Sequence, residues 1–238
     1  MGNIQRSKYF ESQIVGGDTP DSDDHRYIVS LRLFAQHFCG GFIVSSNKVV
    51  TAAQCTFGRI PSSITVVVGS NYLTSGGLVY TPMRIAIHDR YIPVASDYDV
   101  SVLEIPSISF NRHVFPIRLG SNFIGAGVAA IVAGWGSTGY PSAALSDSLQ
   151  VLEVETWNNP NCETALGVTG LLISERNICA GGLSDEGVCG GDTGGPLVVA
   201  GEAIGIVSWG IPCGRGYPDV YARVSFYRDW ILNQFEDS

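Results

Sequence analysis

The chain has 238 residues, 45% hydrophobic and 15% charged, which is enough to bury a sizeable core and too apolar for a disordered segment. A net charge of −8 with no cluster of Lys or Arg argues against a nucleic-acid or anionic-membrane partner, and no apolar run approaches the ~18 residues of a membrane span. The 29 Gly and 11 Pro, among many Val, Ile, Tyr and Ser, predict short strands joined by tight turns.

In chain order, residues 1–13 carry charges and no apolar core, so they do not read as a signal peptide. They are expected to be a prosegment or an added start, with the native signal missing. Strand-like runs follow at Tyr27–Leu33, Phe42–Val44, Ile64–Val68, Val100–Ile105, Ala129–Trp135, Leu149–Glu155, Leu197–Val199 and Ile204–Trp209. Gly, Pro, Asn or Ser clusters separate most of them, which predicts antiparallel β-barrels or sandwiches. Around residues 110–125 the pattern loosens into a bridge between two halves. Helical periodicity is confined to the end, where Phe226, Trp230, Ile231 and Phe235 are expected to share one face. The six cysteines form no CxxC or Cys/His metal pattern. They suggest three disulfides and an oxidising compartment, with the pairing left open. No Asn-x-Ser/Thr sequon is present.

Seven blocks carry more. "IVGG" (14–17), "HFCGG" (37–41), "TAAQC" (51–55), "DYDVSVLEI" (97–105), "AGWGSTG" (133–139), "GDTGGPLV" (191–198) and "IVSWG…YPDVYARV" (206–224) resemble the chymotrypsin/trypsin serine protease family, in its order and at its spacings. The segments near 37–41 and 206–224 are similar to mite group 3 allergens. The combined substitutions resemble the scabies mite inactivated protease paralogues. The resemblance implies an all-β fold of two six-stranded antiparallel β-barrels with a cleft between them and a C-terminal α-helix. It places the protease-like domain at 14–238, the barrels at about 14–117 and about 118–225, and the helix at about 226–236. It pairs Cys39 with Cys55, Cys162 with Cys179 and Cys189 with Cys213. It also implies a secreted, extracellular protein that binds host defence proteins such as complement components, with no cofactor and no metal. The calcium-binding loop of many relatives is not expected, because residues 69–83 contain no carboxylate.

A serine protease needs a hydroxyl nucleophile, an imidazole that takes and returns its proton, and a carboxylate that orients the imidazole. Matched residue by residue, those positions hold Thr193, Gln54 and Asp99, with the oxyanion donors on the backbone of Gly191 and Thr193. The Gln amide has no protonation equilibrium near neutral pH, so it cannot serve as a general base. The Thr methyl stiffens χ1 and crowds the approach of a carbonyl. Of the four histidines, His37 belongs to the "HFCGG" block near the triad, while His25, His88 and His113 lie in polar, loop-like contexts. None is expected to replace the base.

The specificity pocket implied by the resemblance is formed by Gly187, Val188, Ser208, Trp209, Gly210, Pro212 and Asp219. Gly187 stands where basic-specific relatives carry an acid, and Asp219 stands on the opposite wall. Asp219 either attracts a basic side chain or fills a pocket that no longer needs to be open. Pro212 is expected to narrow the entrance. Gln13 before Ile14 is not a site for a trypsin-like activator, so Asp192 is expected to be zymogen-like, satisfied by Ser30 and His37 rather than by a free Ile14 amine. Two functions are compatible with these residues. One is an inactive homologue that works by binding proteins. The other is a weak or unorthodox serine/threonine-type endopeptidase with altered basic-residue specificity.

Overall fold

The computed structural model describes residues 17–19, 24–137, 139 and 144–234. The first sheet contains β1 (Ile28–Leu33), β2 (Gln36–Ser45), β3 (Lys48–Thr51), β4 (Thr65–Val68), β5 (Leu78–Tyr80), β6 (Arg84–Ile87) and β7 (Ser101–Glu104). Its order is β5-β4-β1-β2-β3-β7-β6, antiparallel throughout. The second contains β8 (Arg118–Leu119), β9 (Ala129–Gly134), β10 (Gln150–Trp157), β11 (Asn177–Gly181), β12 (Pro196–Val199), β13 (Glu202–Trp209) and β14 (Pro218–Arg223). Here β12 pairs with both β9 and β13, so six strands close into a ring, and β8 adds in parallel to β13. Each sheet thus has seven hydrogen-bonded strands among the described residues, where six were expected. Closure of the second removes the exposed edges that an open sheet would leave.

The eight strands expected from the sequence correspond to β1, β2, β4, β7, β9, β10, β12 and β13. Six were not anticipated. β14 shows why: "PDVYAR" begins with Pro and includes Asp and Arg, yet all six residues are buried. Tertiary partners, not an apolar run, make it a strand. Helix α2 (Asn159–Ala165) was also missed, after the short α1 (Ala53–Thr56). Its signals are in the sequence, since the Asn158 side chain caps the Asn161 amide and Pro160 occupies the first turn.

The C-terminal helix α3 runs Val224–Asn233 and buries Val224, Tyr227 and Ile231. That corrects the expected face: Phe226 is 40% exposed, and Phe235 lies outside the described residues. Because the helix starts at Val224, the inward stripe is rotated onto 224, 227 and 231. These three side chains share a core with Leu31, Phe42 and Leu103 of the first sheet and with Ile206 of β13. The second ring has its own core, including Val132, Leu152, Ile178 and Tyr221. A helix packed across the first sheet's core thereby fixes one half against the other. Three disulfides, Cys39–Cys55, Cys162–Cys179 and Cys189–Cys213, close local loops. In a chain-entropy picture each contributes about 3 kcal/mol.

One buried cation ties the second half together. Arg223, at the end of β14, is 3% exposed. Its Nε donates to the carbonyls of Glu175 and Asn177, both at 3.0 Å, and a terminal nitrogen donates to that of Ile124 at 2.9 Å. Its guanidinium also stacks on Phe123, 4.0 Å from the ring centroid. Burial lowers its pKa to about 10, so it stays charged at neutral pH. Arg223→Met keeps the packing stem but leaves these carbonyls without donors. The expected loss is roughly 2–3 kcal/mol, read from urea midpoints, while Arg228→Met should change little by comparison.

Candidate active site

The first turn of α1 brings Gln54 to the end of β7, where Asp99 is 1% exposed. A carboxylate this deeply buried needs donors. The Gln54 backbone N–H donates to Asp99 Oδ1 at 2.9 Å, and its side-chain Nε2 donates to Oδ2 at 2.6 Å. The Ser208 hydroxyl, from β13, donates to the same Oδ2 at 2.6 Å. Burial still pushes the Asp99 carboxyl above its ordinary pKa, and the bonds from Ser208, Gln54 and Ala53 pull it back. The Gln54 Nε2 also donates to the Ser208 carbonyl at 2.7 Å, so both amide hydrogens are engaged. Ser208, placed by sequence in the specificity pocket, is therefore a partner of the triad carboxylate. The two positions are 109 residues apart, and no local signal links them.

Thr193 sits in the loop before β12, half-buried. Its carbonyl accepts from Gly40 on β2 at 2.8 Å, and the Gly194 amide donates to Val207 on β13 at 2.8 Å. The loop is thus pinned from both sheets. Gly194 must be glycine: its φ is +86°, and a Cβ there would collide with the Thr51 hydroxyl and the Gly40 carbonyl. Among the described residues, the Thr193 hydroxyl makes no hydrogen bond. The backbone N–H groups of Gly191 and Thr193 likewise have no acceptor within the described chain.

Asp192 is buried as expected, but its partners differ from those expected. Its carboxylate is fully buried and accepts from Gly136 N–H at 2.7 Å and Cys189 N–H at 2.9 Å. It lies directly against the α-carbons of Gly134 and Gly136, where any side chain would displace it. His37 and Ser30 do not satisfy it. The His37 Nε2 contacts the Gly191 carbonyl at 2.9 Å, and Nδ1 contacts the Ser30 hydroxyl at 2.8 Å. A carbonyl can only accept, so Nε2 carries the proton. Nδ1 then accepts from Ser30, whose oxygen accepts from Arg32 Nε at 3.1 Å. Burial holds the His37 pKa down to about 4, consistent with this neutral ring. The imidazole is occupied in positioning the oxyanion loop. Ile14, the other half of the expected activation pair, lies outside the described residues.

In the pocket, Asp219 on β14 is 2% exposed. Val188 N–H donates to its Oδ2 at 3.0 Å. A Cβ on Gly187 would stand 3.1 Å from Oδ2, and one on Gly210 would stand 3.0 Å from Oδ1. The carboxyl group therefore occupies the space between two glycine walls. Val188 is buried, Trp209 and Gly210 are half-buried, and Pro212 is exposed. Among the described residues no group of His, Cys, Asp and Glu could hold a metal ion.

Burial raises the Asp219 pKa to about 8, and the nearby Asp192 charge adds to this. A folded-state pKa above the unfolded one means that the native protein holds a proton already lost from the unfolded chain. Stability attributable to this group should therefore fall as pH rises from about 4 to about 8. Asp219→Asn removes the slope. Its stability relative to wild type, from urea midpoints, should climb with pH and level off above about 8. A difference independent of pH would contradict this assignment.

The family model for trypsin matches residues 14–231. Hypodermin-A from Hypoderma lineatum is 36% identical over 238 residues, 99% of this chain and 91% of that protein. Trypsin delta from Drosophila melanogaster is 34% identical over 225 residues, covering 94% of this chain and 88% of the relative. The solved structure of scabies mite inactivated protease paralogue S-D1 superposes with a TM-score of 0.88 at 30% identity, covering 94% of this chain and 97% of that one. With two strand-built halves, a C-terminal helix and a hydrogen-bonded group of residues 54, 99 and 208, the chain belongs to the trypsin family.

Proposed function

We propose that this chain is a non-catalytic member of the family, a secreted pseudoprotease that acts by binding another protein. The observation that carries the reading is Gln54, whose side-chain N–H groups are both donated, to Asp99 and to the Ser208 carbonyl, where the family needs a proton acceptor. A neutral amide cannot take the proton of a hydroxyl nucleophile. In subtilisin, where the same triad logic runs on another fold, loss of the histidine or the nucleophile costs about 10⁶ in rate. The solved relative named as inactivated supports the reading. Three disulfides and the absence of a membrane-length helix among the described residues support secretion. The interference with host defence proteins that the mite resemblance implies belongs to this proposal and rests on no residue of the cleft. Asp219 fills the pocket in this reading rather than selecting a substrate.

The alternative, a weak serine/threonine-type endopeptidase, is favoured by one observation. The Gly191 and Thr193 amides are unpartnered and the loop that bears them is anchored, as an oxyanion site requires.

A fluorophosphonate probe and peptides with Lys or Arg before the scissile bond distinguish the two. The expected result is no label on Thr193 and no cleavage; labelling of Thr193 or measurable turnover would overturn the proposal. The Gln54→His, Thr193→Ser double variant should accept the small probe yet cleave basic peptides poorly, because Asp219 still occupies the pocket. Trypsin-like turnover by that variant would show the pocket to be open.

A further inference from the structure

The outer face of the second ring carries a groove that is no part of the cleft. On β10 the side chains alternate, with Leu152 and Val154 buried and Glu153 and Glu155 exposed. In register, Glu153 lies opposite Ile131 and Glu155 opposite Ala129 on β9. Beside them, Ala129, Val154, Trp157 and Leu183 line a hollow of about 530 Å³, rimmed by Glu153, Glu155 and Glu186. Trp157 also walls a second hollow of about 270 Å³, where Phe123, Ile124 and Pro160 meet Asn158, Asn159, Glu175 and Arg223. The two hollows meet at one indole.

That indole is held in place. Its Nε1 donates to the Gly181 carbonyl at 2.7 Å, and a Cβ on Gly182 would come within 3.0 Å of the ring. Phe123 and Leu183, at 67% and 65% exposed, extend the apolar floor toward water. None of Glu153, Glu155, Glu175 and Glu186 has an ion-pair partner among the described residues. Arg223, which lines the second hollow, is tied to carbonyls beneath Phe123, and Arg215 lies across a backbone bridge from Ser184 beside the first. An apolar floor with a rigid aromatic and an unneutralised acidic rim is complementary to one kind of chemistry.

We infer that this groove docks a cationic, amphipathic segment of another protein, its apolar side chains over Trp157 and its Lys or Arg residues against the four glutamates. The two hollows share no lining residue with Gln54, Asp99, Thr193 and Ser208, so the inference stands whether or not the cleft turns over peptides.

The probe is a labelled lysine–leucine peptide patterned for an amphipathic helix, followed by anisotropy at low and moderate salt. Saturable binding is expected, with an oligolysine of equal charge bound far more weakly. Glu153→Lys with Glu155→Lys should weaken binding at least about tenfold, and Leu183→Asp should do so independently, each with an unchanged circular dichroism spectrum. Equal binding of oligolysine would reduce the effect to the net charge of −8 and overturn the inference. Unchanged binding to both variants would place the peptide elsewhere and overturn it too. So would self-association that the peptide reverses, because the occupant would then be a second copy.

Discussion

The molecule turns on the need of the Asp99 carboxylate for hydrogen-bond donors. It is buried at the seam, and the groups that satisfy it come from both halves: Gln54 on α1 and Ser208 on β13. In a protease an imidazole meets that need and is also free to move a proton. Here an amide meets it and can move none. Because an unsatisfied buried charge is costly, an amide at this position keeps the seam intact. The proposed loss of catalysis at Gln54 therefore need not disturb the structure.

Two other buried carboxylates border the same region, and glycines make room for each. Asp192 lies against Gly134 and Gly136, and Asp219 lies between Gly187 and Gly210. Burial pushes the Asp192 pKa to about 6 and Asp219 to about 8. Each destabilises the folded state as it ionises with rising pH, whereas the buried neutral His37 destabilises it as pH falls from its ordinary value toward about 4. Between about pH 4 and the ordinary His pKa these slopes partly offset one another, and above that range the Asp219 slope alone remains up to about pH 8. The Arg32–Ser30–His37–Gly191 chain holds the loop of Thr193 from one side, and the Asp192 carboxylate braces it separately through the Cys189 and Gly136 amides.

The cleft and the outer face of the second ring answer to different constraints. At the cleft the buried carboxylates must find partners inside the protein, so the residues around them are interlocked. On the exposed side of β10 the alternation of the strand leaves Glu153 and Glu155 free to meet something else. A substitution at Gln54 therefore disturbs the seam, while one at Glu153 leaves the fold alone.

Residue types were enough to read the all-β class and the terminal helix, and to base the proposed loss of chemistry on Gln54 and Thr193, because tight turns, apolar runs and the proton affinity of a side chain are local properties. The family resemblance carried the disulfide pairs. Tertiary structure alone decided that Ser208 serves Asp99, that His37 turns to the Gly191 carbonyl instead of Asp192, that Asp219 occupies the pocket and that α3 faces inward through Tyr227. Those outcomes depend on hydrogen bonds and packing between residues tens to over a hundred positions apart. No periodicity along the chain encodes which distant donor reaches a buried oxygen first.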